Sequence, residues 1–162
     1  MVNNKIVIPI IIILLLGIGL FGYLTYFADD GSAVISNSKI SIPSTFKIVK
    51  SKEKETVISD GKLNITLTVC DNKSVKELVD EYLKSKETKN QTVESEDITL
   101  SGVNVVKTTL VDTETNITFV NYWFEKDGKQ YRFHSDIPNA QDDQLKSFEG
   151  TVATLINGTS KT

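Results

Sequence analysis

Few side chains in this chain could do chemistry. It holds one histidine, His134, and one cysteine, Cys70. A catalytic thiol needs a general base within reach, and His134 is the one imidazole on offer. Near a strand end, Cys70 reads more simply as a small apolar side chain. The densest carboxylate group is Asp136, Asp142 and Asp143, close in sequence to His134. Hard divalent cations take several carboxylate and carbonyl oxygens, so these four residues are what a metal-dependent hydrolase would use. Acidic residues in a first helical turn also complement the macrodipole, which accounts for Asp142 and Asp143 without a metal. A serine hydrolase would need a G-x-S-x-G elbow, and the sequence has none, nor a P-loop, CxxC or HExxH. No cofactor is called for.

Five Asn-x-Ser/Thr acceptors occur, at Asn64, Asn72, Asn90, Asn116 and Asn157. The content of Asn, Ser and Thr gives about two by chance, so five is an excess and marks possible glycosylation. A chain rich in Thr and Asn could also produce them by accident. Gly17-Ile-Gly19-Leu-Phe-Gly22 matches the G-x-G-x-x-G dinucleotide pattern letter for letter. That pattern needs a strand turning into a helix beside a pyrophosphate. Here it lies in a lipid-spanning run, where glycine is common.

That run sets the organisation. Residues 6–27, from Ile6 to Phe27, carry no charged side chain. Twenty-two helical residues cover about 33 Å, enough for a ~30 Å hydrocarbon core. Lys5 precedes the run and Asp29 and Asp30 follow it, so the positive-inside rule places the remainder outside. The expectation is a single-pass protein of the cell membrane with its C-terminal domain extracytoplasmic. A cleaved signal peptide, with Gly31-Ser-Ala33 as the site, remains open beside a retained anchor. The net charge of −3 argues against nucleic acid, which is held by basic surfaces.

Periodicity then supplies the elements. Residues 40–42 alternate and stop at Pro43, and 56–59 form another short strand. Asp60-Gly61 signals a hairpin with positive φ at both residues, followed by faultless alternation over 63–70. Ser74-Val-Lys-Glu77 is a capping box, and Val75, Leu78, Val79, Tyr82 and Leu83 recur at helical spacing. The polar stretch from Ser85 ends this helix. Four strands follow, over 93–100, 103–111, 117–125 and 130–134, with turns at Ser101-Gly102, at 112–116 and at Asp127-Gly128. On the third, Phe119 and Trp123 point one way and Val120, Tyr122 and Phe124 the other, as in a central strand covered on both sides. Leu145, Phe148, Val152, Leu155 and Ile156 define a second helix, closed by Asn157-Gly158.

The predicted fold class is α+β: an antiparallel sheet of six to seven strands covered by two helices, in the order βββ-α-ββββ-α. The expected layout is a cytoplasmic tip at 1–5, an anchor at 6–27, a linker at 28–38, one domain at 39–157 and a tail at 158–162. At strand spacing Tyr122, Trp123, Phe124 and Tyr131 read first as core; whichever of them face out are the candidate partner surface, because exposed aromatics make binding hot spots.

The segments "ISIPSTF", "DNKSVKELVDEYLKSK", "EDITLSGVNVVKTT" and "FVNYWFEKDGKQYRFHS" resemble the PsbP-like (Mog1/PsbP/DcrB) superfamily over residues 39–157. The resemblance implies an antiparallel sheet between helices and a non-enzymatic role as a binding or assembly partner of larger complexes. Anchored lipoprotein members of that family use a lipid-modified cysteine. With no cysteine near Ala28, a protein helix would serve instead. The expected function is a membrane-anchored extracytoplasmic binding module without catalytic activity, held in the bilayer by residues 6–27 and docking an envelope protein complex. A metal-dependent hydrolase and a glycosylated structural envelope protein are the alternatives.

Overall fold

Tight turns dictate how the central strands pair. Strands β6 (Glu94–Leu100) and β7 (Val103–Asp112) flank Ser101 and Gly102, with φ of 51° and 77°. Strands β8 (Ile117–Lys126) and β9 (Lys129–Pro138) flank Asp127 and Gly128, at 53° and 73°. Both turns place consecutive residues at positive φ, the twist that suits a two-residue hairpin. They set the registers Leu100↔Val103 and Lys126↔Lys129.

The turn between β4 (Glu55–Ser59) and β5 (Asn64–Val69) works differently from the two-residue turn expected there. Only Gly61 takes positive φ. The Asp60 carboxylate accepts from the N–H groups of Lys62 and Leu63 at 2.8 and 2.7 Å, closing a wider loop. Those two bonds hold the Asp60 carboxyl below its ordinary pKa.

The computed structural model describes residues 31–70, 72–87 and 93–162, and one compact unit spans Ala33–Thr162. The expected membrane segment at 6–27 and the acceptor Asn90 lie outside the described residues. Among those described, no helix is long and apolar enough to cross a membrane.

Seven antiparallel strands form the main sheet, in the order β3-β4-β5-β9-β8-β7-β6, with β3 at Lys47–Ser51. A second sheet of three strands, β1 (Ser32–Ile35), β2 (Ser38–Ser41) and β10 (Thr159–Lys161), was not expected. Its first strand occupies the predicted linker and its last the predicted tail. Ser36 and Asn37 make the β1–β2 turn at φ of 46° and 61° without glycine, so no turn signal marks it. Strand β3 was also missed; all five of its residues are exposed, so no apolar alternation betrays it.

Helix α1 (Val75–Glu87) starts at the expected capping box: the Ser74 N–H donates to Glu77 at 2.8 Å and the Glu77 N–H to Ser74 at 3.3 Å. It continues to Glu87, into the polar stretch from Ser85 expected to end it. Helix α2 (Asp142–Asn157) carries Asp142 and Asp143 in its first turn. Gly158 closes it, but at φ −79°, not in the left-handed cap conformation. Glycine is needed there because a Cβ would lie 2.8 Å from that of Ser41.

Cross-strand partners share a face, so the register divides the sheet. Ile58, Ile65, Leu67, Val120, Tyr122, Phe124, Tyr131 and Phe133 point to one side, are buried, and join Phe148, Val152, Leu155 and Ile156 of α2 in one core. The other side carries Thr66, Thr68, Thr108, Phe119, Asn121, Trp123, Arg132 and His134. There α1 packs, its Tyr82 ring 5.6 Å from Trp123.

Candidate binding face

The chain's one arginine, one tryptophan and one histidine meet on the α1 side of the sheet. Arg132 on β9 lies directly across from Trp123 on β8, and His134 across from Asn121. Alternation along each strand puts all four side chains on one face. Tyr82 arrives from α1 because Val79 and Tyr82 lie on the helix face turned toward the sheet; Val79 is buried.

The geometry fixes the guanidinium. Arg132 Nε donates to Asn121 Oδ1 at 2.8 Å. Asn121 is itself held, its Nδ2 donating to Thr108 Oγ1 at 3.1 Å and to the Tyr82 hydroxyl at 3.2 Å. Trp123 Nε1 donates to the same Thr108 oxygen at 3.2 Å. The guanidinium carbon lies 5.0 Å from the Trp123 ring centre and 5.6 Å from that of Tyr82, within cation–π range. Lys86, one turn beyond Tyr82, sits 5.4 Å from the Tyr82 ring and 5.7 Å from Phe119.

What the cluster lacks matters as much. Among the described residues no carboxylate lies within ion-pair distance of Arg132. Its four terminal N–H donors make no hydrogen bond to those residues. Burial pulls its pKa below the ordinary value, partly countered by Tyr82, Cys70, Asp136 and Glu55. His134 responds to the same surroundings. Burial, then the charge of Arg132, lower its pKa to about 4, and its Nδ1 is buried without a partner among the described residues. The imidazole is therefore neutral at neutral pH.

Beside this cluster an open groove of ≈ 1150 Å³ runs between α1 and the β6–β7 edge, walled by Val75, Val79, Leu83, Asp97, Thr99 and Val106. The helix contributes apolar side chains and the strands mostly polar ones, a mixture that suits a binding cleft.

The sequence-derived site residues fall elsewhere. Tyr122, Trp123, Phe124 and Tyr131 are 1%, 4%, 0% and 0% exposed. They are not a partner surface, because β8 and β9 are central strands with cover on both faces. Three of these rings build the α2-side core, where Phe124 stacks on Tyr131 at 5.0 Å and Tyr122 meets Phe148 edge-on at 5.3 Å. Trp123 packs under α1 instead.

The acidic group is also dispersed. Asp136 shares the α1-side face of β9 with His134, whereas Asp142 and Asp143 lie exposed at the start of α2, which packs on the opposite face. Among the described residues no three His, Cys, Asp or Glu side chains gather closely enough to hold a metal ion. The acceptors Asn64, Asn72, Asn116 and Asn157 are all exposed. Sequence reasoning missed Arg132, Asn121, Tyr82 and Lys86. A signal was present: one arginine stands among 18 basic residues, between aromatic residues, at a position that faces the way Trp123 does.

This fold, an antiparallel sheet with helices on both faces, is PsbP-like. It matches the solution structure of the cyanobacterial PsbP protein (CyanoP) from Synechocystis sp. PCC 6803, with a TM-score of 0.51 at 15% identity over 78% of this chain and 88% of that one. A crystal structure from Bacteroides thetaiotaomicron VPI-5482 matches with a TM-score of 0.55 at 8% identity, covering 82% of this chain and 49% of that chain. No family model matches the sequence, and no curated protein does. At such identities the likeness is one of fold.

Proposed function

We propose that this chain is a single-pass membrane protein whose outer domain is a binding module without catalytic activity, docking a protein complex of the cell envelope. The PsbP-like fold supports a non-catalytic assembly module. The uncharged run at residues 6–27, followed by Asp29 and Asp30, supports the outward placement.

One observation carries the binding reading: Arg132 is held rigidly on a partly covered sheet face, with terminal donors that no described residue uses. Desolvated charges are ordinarily paired, and this half-buried one is positioned by Asn121, Trp123 and Tyr82 with its outer edge left without a partner among the described residues. On the α2 side, by contrast, the half-buried Lys107 has Glu96 at 2.9 Å and Glu149 at 3.0 Å.

The test has two arms. Protease added to intact cells should degrade the domain as readily as protease added to lysed cells; protection in intact cells contradicts the placement. Crosslinking of the full chain in its native membrane should then capture one defined envelope complex. Capture should fall at least fivefold in a Lys86→Gln/Arg132→Gln variant, and equal capture by both proteins contradicts docking through this face.

A further inference from the structure

We infer that the outer edge of the Arg132 guanidinium is a receptor for a carboxylate, supplied by an acidic side chain of the docked partner. The inference rests on the binding-module reading and names the chemistry that its partner must bring.

Arginine presents five N–H donors in a rigid fork. One is taken by Asn121, and the taken one is Nε, so the terminal nitrogens remain for a planar, two-oxygen acceptor. The rings of Trp123 and Tyr82 lie within cation–π range of the guanidinium carbon and take none of its N–H donors. The orientation is therefore set before any ligand arrives, which lowers the entropy lost on binding.

Charge selects the ligand. Asp136 and Glu55 lie on the same face and act on Arg132, though neither pairs with it. A monoanionic carboxylate balances one guanidinium. A phosphate dianion would add a surplus negative charge facing those two carboxylates. Lys86 lies against the rings of Tyr82 and Phe119 and contributes one further positive charge at the rim. The β5 hydroxyls of Thr66 and Thr68, directly across from His134 and Arg132, supply neutral donors alongside.

The chain carries its own reporters, since Trp123 and His134 are its single tryptophan and single histidine. The full chain in non-ionic detergent is titrated with sodium acetate at constant ionic strength, balanced with chloride, while Trp123 emission and the His134 ring protons are followed. Inorganic phosphate is run in parallel. The expected result is a saturable acetate response with half-saturation in roughly the tens of millimolar, as befits a ligand fragment. Phosphate should bind no more tightly than acetate. Arg132→Gln should abolish the response. Arg132→Lys keeps the charge but loses the fork, and should weaken acetate at least fivefold with an unchanged unfolding midpoint. If Arg132→Gln fails to fold, the lysine variant decides the matter.

No saturable response to acetate, an equal response to chloride alone, or full retention in Arg132→Lys overturns the site. Phosphate binding tenfold tighter than acetate overturns the carboxylate assignment. If acetate fails while the protease and crosslinking results hold, the module reading stands and this site falls; the reverse pattern leaves a carboxylate site on a protein of another placement.

Discussion

Two cations sit on opposite faces of the same sheet and meet opposite fates. Lys107, on β7, points toward α2 and is bracketed by Glu96 at 2.9 Å and Glu149 at 3.0 Å. Burial alone would lower its pKa, but the two carboxylates outweigh it and the net shift is upward. Glu149 also accepts from the Tyr122 hydroxyl at 3.3 Å, and burial with that negative charge raises the tyrosine pKa. The result is a satisfied network that clamps α2 to the sheet. Arg132, two strands away and facing α1, has no such partners among the described residues; there burial prevails and the shift is downward. One face closes on itself and the other keeps hydrogen-bonding capacity for something outside the chain.

The two faces should respond differently to mutation, most of all in their packing. Phe148 on α2 is fully buried against Tyr122, so Phe148→Ala should destabilise the domain by about 3–5 kcal/mol in chemical denaturation. Phe119→Ala, on the partly covered α1 face, should cost about 1 kcal/mol. Equal losses would erase the distinction between a closed core and an open face.

Acid should act through the α1 face next. His134 has a folded pKa of about 4 against 6.5 for the free side chain, so folding disfavours its protonated form. Its contribution is intact above pH 6.5, fades as pH falls toward 4, and levels off below that, with about 3 kcal/mol lost in all. Unfolding midpoints of the native protein and His134→Gln, measured across that range, should diverge accordingly. Parallel curves would mean that the imidazole is not enclosed beside the guanidinium.

The smallest effect separates the two cations. Lys107→Met strands Glu96 and Glu149 beside a buried tyrosine and should cost about 1 kcal/mol, the exposure of the pair limiting the loss. Arg132→Met gives up cation–π contacts and one hydrogen bond but removes a desolvated charge without a carboxylate. Its stability should stay within about 0.5 kcal/mol of the native protein. A larger loss from Arg132→Met than from Lys107→Met would reverse the comparison.

How much of this was legible depended on periodicity. The alternation at 63–70, the helical spacing after Ser74 and the turns at Ser101-Gly102 and Asp127-Gly128 place β5 to β9 and α1 within a few residues, because each couples local pattern to one buried face. Strand β3 exposes all its residues and β1–β2 turn without glycine, so neither leaves an apolar trace. The hot-spot reading of Tyr122, Trp123, Phe124 and Tyr131 failed because all four are buried; for the three on β8 the pattern already held the reason, since a strand apolar on both faces has no face left for a partner. Arg132 was out of reach for another reason. Its surroundings come from cross-strand register and from Tyr82, fifty residues earlier in the chain (a contact that no spacing rule announces).

The most direct test of a closed face and a receptive one is a residue-by-residue map of acetate binding to the isotopically labelled full chain by NMR. Signals of Tyr82, Asn121, Trp123, Arg132 and His134 should move together with one saturation curve, while Lys107, Glu149 and Tyr122 stay still. Movement centred on Lys107, or scattered over exposed lysines without saturation, would contradict the account.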